Sequence, residues 1–163
     1  MTEVRFVATC NAPLDVTFAY LDDYRNVTEY WHGMTSYRPV GALDHGPGSI
    51  YEAVAKIGPS TVKSTIETVE WHKDVRIAYT SVSGMDSSTT FDFAAVDATH
   101  STVEFRIEFT LPGGIAGRAI AKTLEPFVAT TARNTAANIS ARVAEYWATV
   151  RAGTRRGAAD LPK

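Results

Sequence analysis

The residues of this sequence that could do chemistry are a few tyrosines, four histidines and scattered carboxylates. His32, His45, His72 and His100 stand apart, and none pairs with another at a spacing that binds a metal on one helix face. Three of them fall in predicted turns. His32 instead follows Trp31 at the end of an aromatic segment, so it is the one candidate to carry a proton at a cavity mouth. The spacing predicts no metal site.

Motifs for nucleotides and for nucleophilic catalysis are missing from the sequence. Gly46-Pro47-Gly48 precedes a strand, and Gly113-Gly114 leads into a helix without a Lys-Ser/Thr pair, so neither is a phosphate loop. No serine stands in a G-x-S-x-G turn, and Cys10 has no evident histidine partner. We therefore expect no cofactor.

Tyrosines and carboxylates on predicted strands are the remaining acid–base candidates. Most carboxylates fit solvated strand faces, but the register of Glu52, Glu70 and Asp92 stays open in the sequence. An inward carboxylate in an apolar cavity would have a raised pKa and could act as an acid or base. Tyr51 and Tyr79 are stronger candidates, because a buried phenol needs a partner and can donate to a carbonyl.

The composition indicates one globular domain, which we place at residues 1–151, followed by a flexible tail at 152–163. The 163 residues are 45% apolar and 21% charged. A net charge of −2 is too weak to recruit nucleic acid or an anionic membrane. One cysteine excludes an internal disulfide, and no apolar run has the length of a membrane span. We expect a cytoplasmic protein, either monomer or homodimer.

Periodicity predicts the elements that must position these side chains. Alternation over residues 3–10 predicts a strand, and two short aromatic helices follow at 14–21 and 24–31. These helices carry too many aromatic side chains for a solvent-facing connection, so we expect the side chains to pack over another part of the protein. Short polar turns then separate further strands, which favours an antiparallel meander; we place these strands near 36–42, 49–57, 60–71, 74–82, 88–97 and 101–111.

A helical pattern runs from Gly114 to about Val150, and Pro126 predicts a kink or a break within it. At ~100° per residue one stripe of this helix is apolar in its first half and polar in its second. The predicted stripe consists of Ile120, Leu124, Phe127, Thr131, Thr135, Asn138 and Arg142. If it packs on the sheet, its polar groups meet either sheet side chains and water or a ligand.

The order of elements resembles the START/Bet v 1-like (SRPBCC) superfamily and, within it, the polyketide cyclase/dehydrase-type group. The resemblance is carried by the opening VRFVATCNAPLDVTFAYLDDYRNVTEYW, by GPGSIYEAVAKIG and by the closing FTLPGGIAGRAIAKTLEPF. It implies an α+β helix-grip fold, in which a curved antiparallel sheet of about seven strands wraps a long C-terminal helix. It also implies a cavity between the two for a lipid, polyketide or aromatic molecule.

Three functions follow from this resemblance and stay open in the sequence. The chain binds an apolar molecule as a carrier, or it is a polyketide cyclase/dehydratase-like enzyme, or it is a non-catalytic interaction module of the same fold. For the enzyme, the catalytic candidates are Tyr51, Tyr79 and His32, with Asn138 holding a developing enolate. The predicted ligand-binding residues are Trp31, Tyr51, Tyr79, Phe91, Phe105, Phe127, Thr131 and Asn138.

Overall fold

The computed structural model describes residues 2–110 and 113–159, and the side chains of residues 2–110 and 113–153. Seven strands, two short helices with a 3-10 turn between them, and one long helix follow each other along the chain. They are β1 (Thr2–Cys10), α1 (Leu14–Asp22), a 3-10 turn (Tyr24–Asn26), α2 (Val27–Tyr30), β2 (Met34–Pro39), β3 (Ile50–Ile57), β4 (Ser60–His72), β5 (Arg76–Gly84), β6 (Asp86–Asp97), β7 (His100–Thr110) and α3 (Gly114–Ala159).

The seven strands form one antiparallel sheet in the order β1-β7-β6-β5-β4-β3-β2. Strands β2 to β7 each pair with their neighbours in sequence, and β1 pairs with β7, so β1 and β2 are the two edge strands. Val103, Phe105, Ile107 and Phe109 of β7 are all buried, and the residues between them face outward. The predicted α+β helix-grip architecture is confirmed.

The short helices connect the two edges of the sheet and lie on its inner face. The side chain of Asp23 accepts from the backbone N–H of Arg25 at 3.0 Å, which caps the 3-10 turn. Phe18 packs edge-on against Phe93 with ring centroids 4.9 Å apart. Trp31, just after α2, packs against the core. The aromatic side chains therefore cover the core, as expected.

Helix α3 lies along β1 and buries a stripe that overlaps the predicted one only in part, since Leu124, Thr131 and Thr135 are buried as predicted. Ile120 and Phe127 are 55% and 42% exposed, so the prediction that they face inward is wrong. The buried positions of α3 are Gly117, Ala121, Leu124, Val128, Thr131, Ala132, Thr135, Ile139 and Val143. At ~100° per residue this stripe is rotated by about 60° from the prediction. The prediction followed large side chains, whereas several buried positions of α3 carry small ones, namely Gly117, Ala121 and Ala132.

The two ends of α3 also refine the sequence prediction. The helix continues without interruption through Pro126, so the predicted break is absent. It ends at Ala159 and not near Val150, so the first part of the predicted tail is helical. Residues 160–163 of that tail lie outside the described residues. The domain boundary at 151 and the flexibility of the tail stay predictions.

Gly33 joins α2 to β2 and thereby sets the position of Trp31. Its φ is +85°, and a Cβ at this position would overlap the carbonyl oxygen of Lys56. Gly46 has a similar φ of +80° but nothing within 4 Å. We expect Gly33→Ala to lower the free energy of unfolding by roughly 2–4 kcal/mol and Gly46→Ala by about 1 kcal/mol. Urea denaturation measures both, and equal losses would contradict the close approach at Gly33.

Candidate functional site

A cavity lies between the inner face of the sheet, the end of α2 and the first half of α3. Its wall is mostly aliphatic and aromatic, with a few hydroxyl groups. The residues that line it are Val27, Tyr30, Trp31, Met34, Tyr37, Ala53, Ala55, Ile57, Val62, Ser64, Ile66, Tyr79, Met85, Ser87, Thr89, Phe91, Ile107, Phe109, Val128 and Thr131. Among these described residues none carries a charge and none is a histidine.

Small side chains on β3 and β4 make room for the cavity. Ala53 faces inward between its cross-strand neighbours Tyr37 and Ser64, and Ala55 lies next to Val62 in the same way. The cavity volume is about 110 Å³. A dry cavity of ~150 Å³ takes up benzene, whereas the pockets of drug-sized ligands exceed ~300 Å³. The space suits one ring better than a long chain.

Three tyrosines from three different elements meet at this cavity. Tyr30 comes from α2, Tyr37 from β2 and Tyr79 from β5. Tyr51 supports Tyr37 from outside the cavity: the two rings stack with centroids 4.8 Å apart and an angle of 18° between planes. The Tyr79 ring stands at 90° to Phe91, with centroids 6.2 Å apart. Packing therefore fixes the rings of Tyr37 and Tyr79.

The hydroxyl groups of Tyr30, Tyr37 and Tyr79 have no hydrogen-bond partner within the described residues. These hydroxyls also keep some accessible surface. Within the described residues, the only side-chain oxygen or nitrogen that is both fully inaccessible and unpaired is Oδ1 of Asp74. Tyr30 is buried, Tyr37 and Tyr79 are half-buried, and all three line the cavity, so we assign the free surface of their hydroxyls to it. Three phenol groups thus border it without a bond to the protein.

Burial controls the protonation of these phenols. Loss of hydration raises the pKa of Tyr37 and Tyr79 well above the ordinary value of 10.0, and the neighbouring tyrosines raise it further. The pKa of Tyr30 is raised by burial and then by Tyr20 and Asp22. All three therefore keep their protons at neutral pH and can act as donors.

Four of the predicted ligand-binding residues border the cavity, namely Trp31, Tyr79, Phe91 and Thr131. Trp31 also contacts Phe91 edge-on, with centroids 6.2 Å apart. Thr131 is 7% exposed, and no described residue bonds its hydroxyl. The structure therefore brings together side chains from a helix end, two strands and α3 that lie up to a hundred positions apart in sequence.

The other four predicted residues lie elsewhere. The Tyr51 hydroxyl donates to the carbonyl oxygen of Asp44 at 2.7 Å. Phe105 is fully buried in the core. Phe127 lies on the outside of α3, where its ring contacts the β3–β4 turn at Gly58. The fourth, Asn138, belongs to the contact between α3 and α2.

Two polar side chains of α3, those of Thr135 and Asn138, hold the end of α2 and do not line the cavity. The Asn138 amide donates to the carbonyl oxygen of Tyr30 at 3.2 Å, and the His32 backbone N–H donates to Thr135 Oγ1 at 3.0 Å. These two bonds flank Trp31 and fix it against the cavity. The His32 side chain is exposed and does not line the cavity. In the polar half of the predicted stripe, Thr131 borders the cavity, whereas Thr135 and Asn138 position the end of α2.

Tyr30 and Tyr37 were not among the residues predicted for the site. Tyr30 belongs to the aromatic segment of the two short helices, which was predicted to pack on other parts of the protein. That aromatic content is the signal that could have identified Tyr30. Tyr37 follows an irregularity in the pairing of β2, between Met34 and Ser36. This shift decides which face of the sheet Tyr37 occupies, and no sequence pattern marks it.

The carboxylates that the sequence left open face away from the cavity. Glu52 pairs with Arg38 on the outer face, and the Arg76 guanidinium bonds Asp92 at 2.7 Å and lies 3.7 Å from Glu70. Burial raises the pKa of the half-buried Asp22, but this carboxylate accepts from the Trp71 indole at 2.8 Å and does not line the cavity.

Other reactive groups also lie away from the cavity. Burial raises the pKa of the fully buried Cys10 thiol to about 11, which makes it a poor nucleophile. In the described part of the chain no three His, Cys, Asp or Glu side chains are grouped to hold a metal ion. None of the helices described has the length and hydropathy of a membrane span.

The fold and the cavity define a helix-grip protein of the ligand-binding kind. The chain belongs to the polyketide cyclase/dehydrase and lipid transport family, whose model matches residues 1–144. The resemblance seen in the sequence is thereby confirmed. No curated protein sequence matches the chain.

Several solved structures share the fold at low sequence identity. TTHA0849 from Thermus thermophilus is 19% identical, with a TM-score of 0.74 over 87% of this chain and 97% of that one. The Zhui aromatase/cyclase from a Streptomyces species is 13% identical, with a TM-score of 0.75 over 87% and 93%. A START superfamily protein from Mycobacterium smegmatis is 10% identical, with a TM-score of 0.69 over 86% and 96%. These likenesses establish the fold.

The raised pKa values of the cavity tyrosines predict a loss of stability in alkali. In the unfolded chain these phenols ionise near their ordinary pKa of 10.0, whereas the folded chain keeps them protonated. Their contribution to stability is complete below pH 10 and is lost as pH rises towards the folded pKa. Tyrosinate absorbance, followed together with circular dichroism, should show late ionisation that coincides with unfolding.

Tyr37→Phe is the control for this titration, and it should remove one late-ionising group. Complete ionisation near pH 10 in a protein whose circular dichroism is unchanged would contradict the burial of these phenols.

Proposed function

We propose that this protein binds a small, largely apolar molecule in the cavity between its sheet and α3, and that it acts as a carrier or binding protein. The observation that carries the proposal is an uncharged, mainly apolar cavity inside a fold whose remaining core is packed. Apolar pockets with a few polar groups are the usual form of small-molecule sites. The family description, with its lipid transport, supports the same interpretation.

A cyclase or dehydratase activity is the second candidate, and it is favoured by the tyrosine hydroxyls and by the similarity to an aromatase/cyclase fold. Aldol closure and water loss need a group that takes a proton. The described lining supplies neither a carboxylate nor a histidine, and the pKa of its tyrosines is raised. The residues therefore support binding more strongly than proton transfer.

An interaction module is the third candidate, and the structure offers it less support. Such a module would have a filled interior and a continuous apolar patch on its surface. Here the interior contains a cavity, and the exposed large apolar side chains are distributed over several elements, with Val7, Val69, Val82 and Val96 on four different strands and Ile115, Ile120 and Phe127 on α3. A cytoplasmic location, indifference to nucleic acid and the choice between monomer and homodimer stay predictions.

Binding in the cavity is tested with a variant in which a larger side chain fills the space. Ethylbenzene, a probe of one ring and two further carbons, should bind the wild type and raise its melting temperature. Ala53→Leu adds three carbons inside the cavity, so it should weaken ethylbenzene binding at least tenfold. Ala94→Leu adds the same carbons at an exposed position of the same sheet and should leave binding unchanged. Changes in amide NMR shifts measure both affinities.

Two results would contradict the proposal. One is an absence of binding to the wild type. The other is equal affinity of the wild type and Ala53→Leu, because the ligand would then occupy another place. The melting temperature of Ala53→Leu without ligand verifies that the variant is folded.

A further inference from the structure

Three unpaired phenols border one small cavity, and this arrangement restricts the chemistry of its occupant. Tyr30, Tyr37 and Tyr79 each carry an O–H that bonds no described residue. Burying such a group without a partner has a free-energy cost, and this cost is avoided when a bound molecule accepts the bond. A pure hydrocarbon would leave all three donors without a ligand acceptor, so a molecule with an acceptor should bind more tightly than a hydrocarbon of the same size.

The charge of the occupant is restricted by the same residues. No described residue of the lining carries a charge, so neither a carboxylate nor an ammonium ion would find a counter-ion there. An ion without a partner in an apolar cavity loses its hydration without compensation. A neutral molecule is therefore preferred over a fatty acid anion or an amine of the same size.

The tyrosine donors indicate which acceptor group the occupant carries. A carbonyl oxygen has two lone pairs and accepts two hydrogen bonds at once without bringing a donor of its own. The rings of Tyr37 and Tyr79 are held by Tyr51 and Phe91, so their hydroxyls are fixed in place before any ligand enters. Preorganised donors lose little entropy on binding.

We propose that the cavity selects a neutral carbonyl compound of about one ring, a ketone, aldehyde or ester, whose oxygen accepts hydrogen bonds from the hydroxyls of Tyr37 and Tyr79. Tyr30 lies beside them as a third donor. This inference rests on the proposed function, since it names the chemical class of the molecule bound in the same cavity. The apolar part of the compound lies against Phe91 and Ile107.

Three probes of equal size test this selection. Acetophenone carries a carbonyl oxygen, α-methylstyrene has a CH₂ group in its place, and benzoate has the same skeleton with a carboxylate. Their dissociation constants are measured by NMR titration against wild type, Tyr37→Phe and Tyr79→Phe. The phenylalanine variants keep both rings and remove one hydroxyl each. Tyr146→Phe removes a phenol whose ring packs on Tyr20 away from the cavity and is the matched control.

The expected result is a change in relative affinity. The preference for acetophenone over α-methylstyrene should fall roughly three- to tenfold in Tyr37→Phe and in Tyr79→Phe, and stay constant in Tyr146→Phe. The carbonyl stretch of bound acetophenone should move to higher frequency when either hydroxyl is removed. Benzoate should bind the wild type more weakly than acetophenone.

The outcomes separate this inference from the function on which it rests. If acetophenone and α-methylstyrene both bind, but neither variant alters their relative affinity, the carbonyl selection is wrong and the proposed function stands. Tighter binding of benzoate than of acetophenone would also overturn the selection. If no probe binds the wild type, the proposed function fails together with it.

Discussion

The contact between α3 and β1 is the interaction on which the rest of this structure depends. The helix lies on this edge strand of the sheet, and the Ser140 hydroxyl donates to the carbonyl oxygen of Thr9 at 2.7 Å. Ala132, Ile139 and Val143 of α3 are completely buried. Because the helix lies at one edge of a curved sheet, it cannot fill the space over the opposite strands. In the lining, α3 contributes only Val128 and Thr131 from the residues described.

Side-chain size decides what remains of that space. Over β6 and β7 the inner face carries Phe91, Phe105 and Phe109, which fill the interior. Over β3 the inner face carries Ala53 and Ala55, and a cavity remains. The tyrosines stand around this gap with their hydroxyls unpaired. A core built for stability alone would fill such a gap or pair such groups, because each unpaired donor costs free energy. This arrangement is the basis of the ligand binding that we propose.

Much of the fold could be predicted from the sequence because it depends on local patterns. The alternation over residues 3–10 and the short polar turns between the later strands indicate an antiparallel meander. The inner face of the strands was also predictable, since Tyr79, Phe91 and Ile107 belong to the apolar phase of their strands. The rotation of α3 was not, because Ile120 and Phe127 are apolar yet exposed. Which stripe is buried depends on how closely the helix approaches β1, and that is a tertiary property.

The candidate site was predicted in part, for the same reason. Trp31, Tyr79, Phe91 and Thr131 were identified because aromatic or buried polar residues on an inner face stand out. Tyr37 depends on the irregular pairing of β2, which no sequence pattern marks. Asn138 was expected to bind a ligand and instead holds the backbone of α2. An inward polar side chain can either bind a ligand or hold a neighbouring backbone segment. Only the positions of its neighbours distinguish these two roles.

A crystal structure of the protein with acetophenone tests the central claim most directly. We expect the ring to lie between Phe91 and Ile107 and the carbonyl oxygen to accept from the hydroxyls of Tyr37 and Tyr79 at ~2.6–3.0 Å. A ketone bound outside this cavity, or bound within it with its oxygen directed away from both tyrosines, would contradict the claim that the cavity selects a carbonyl group.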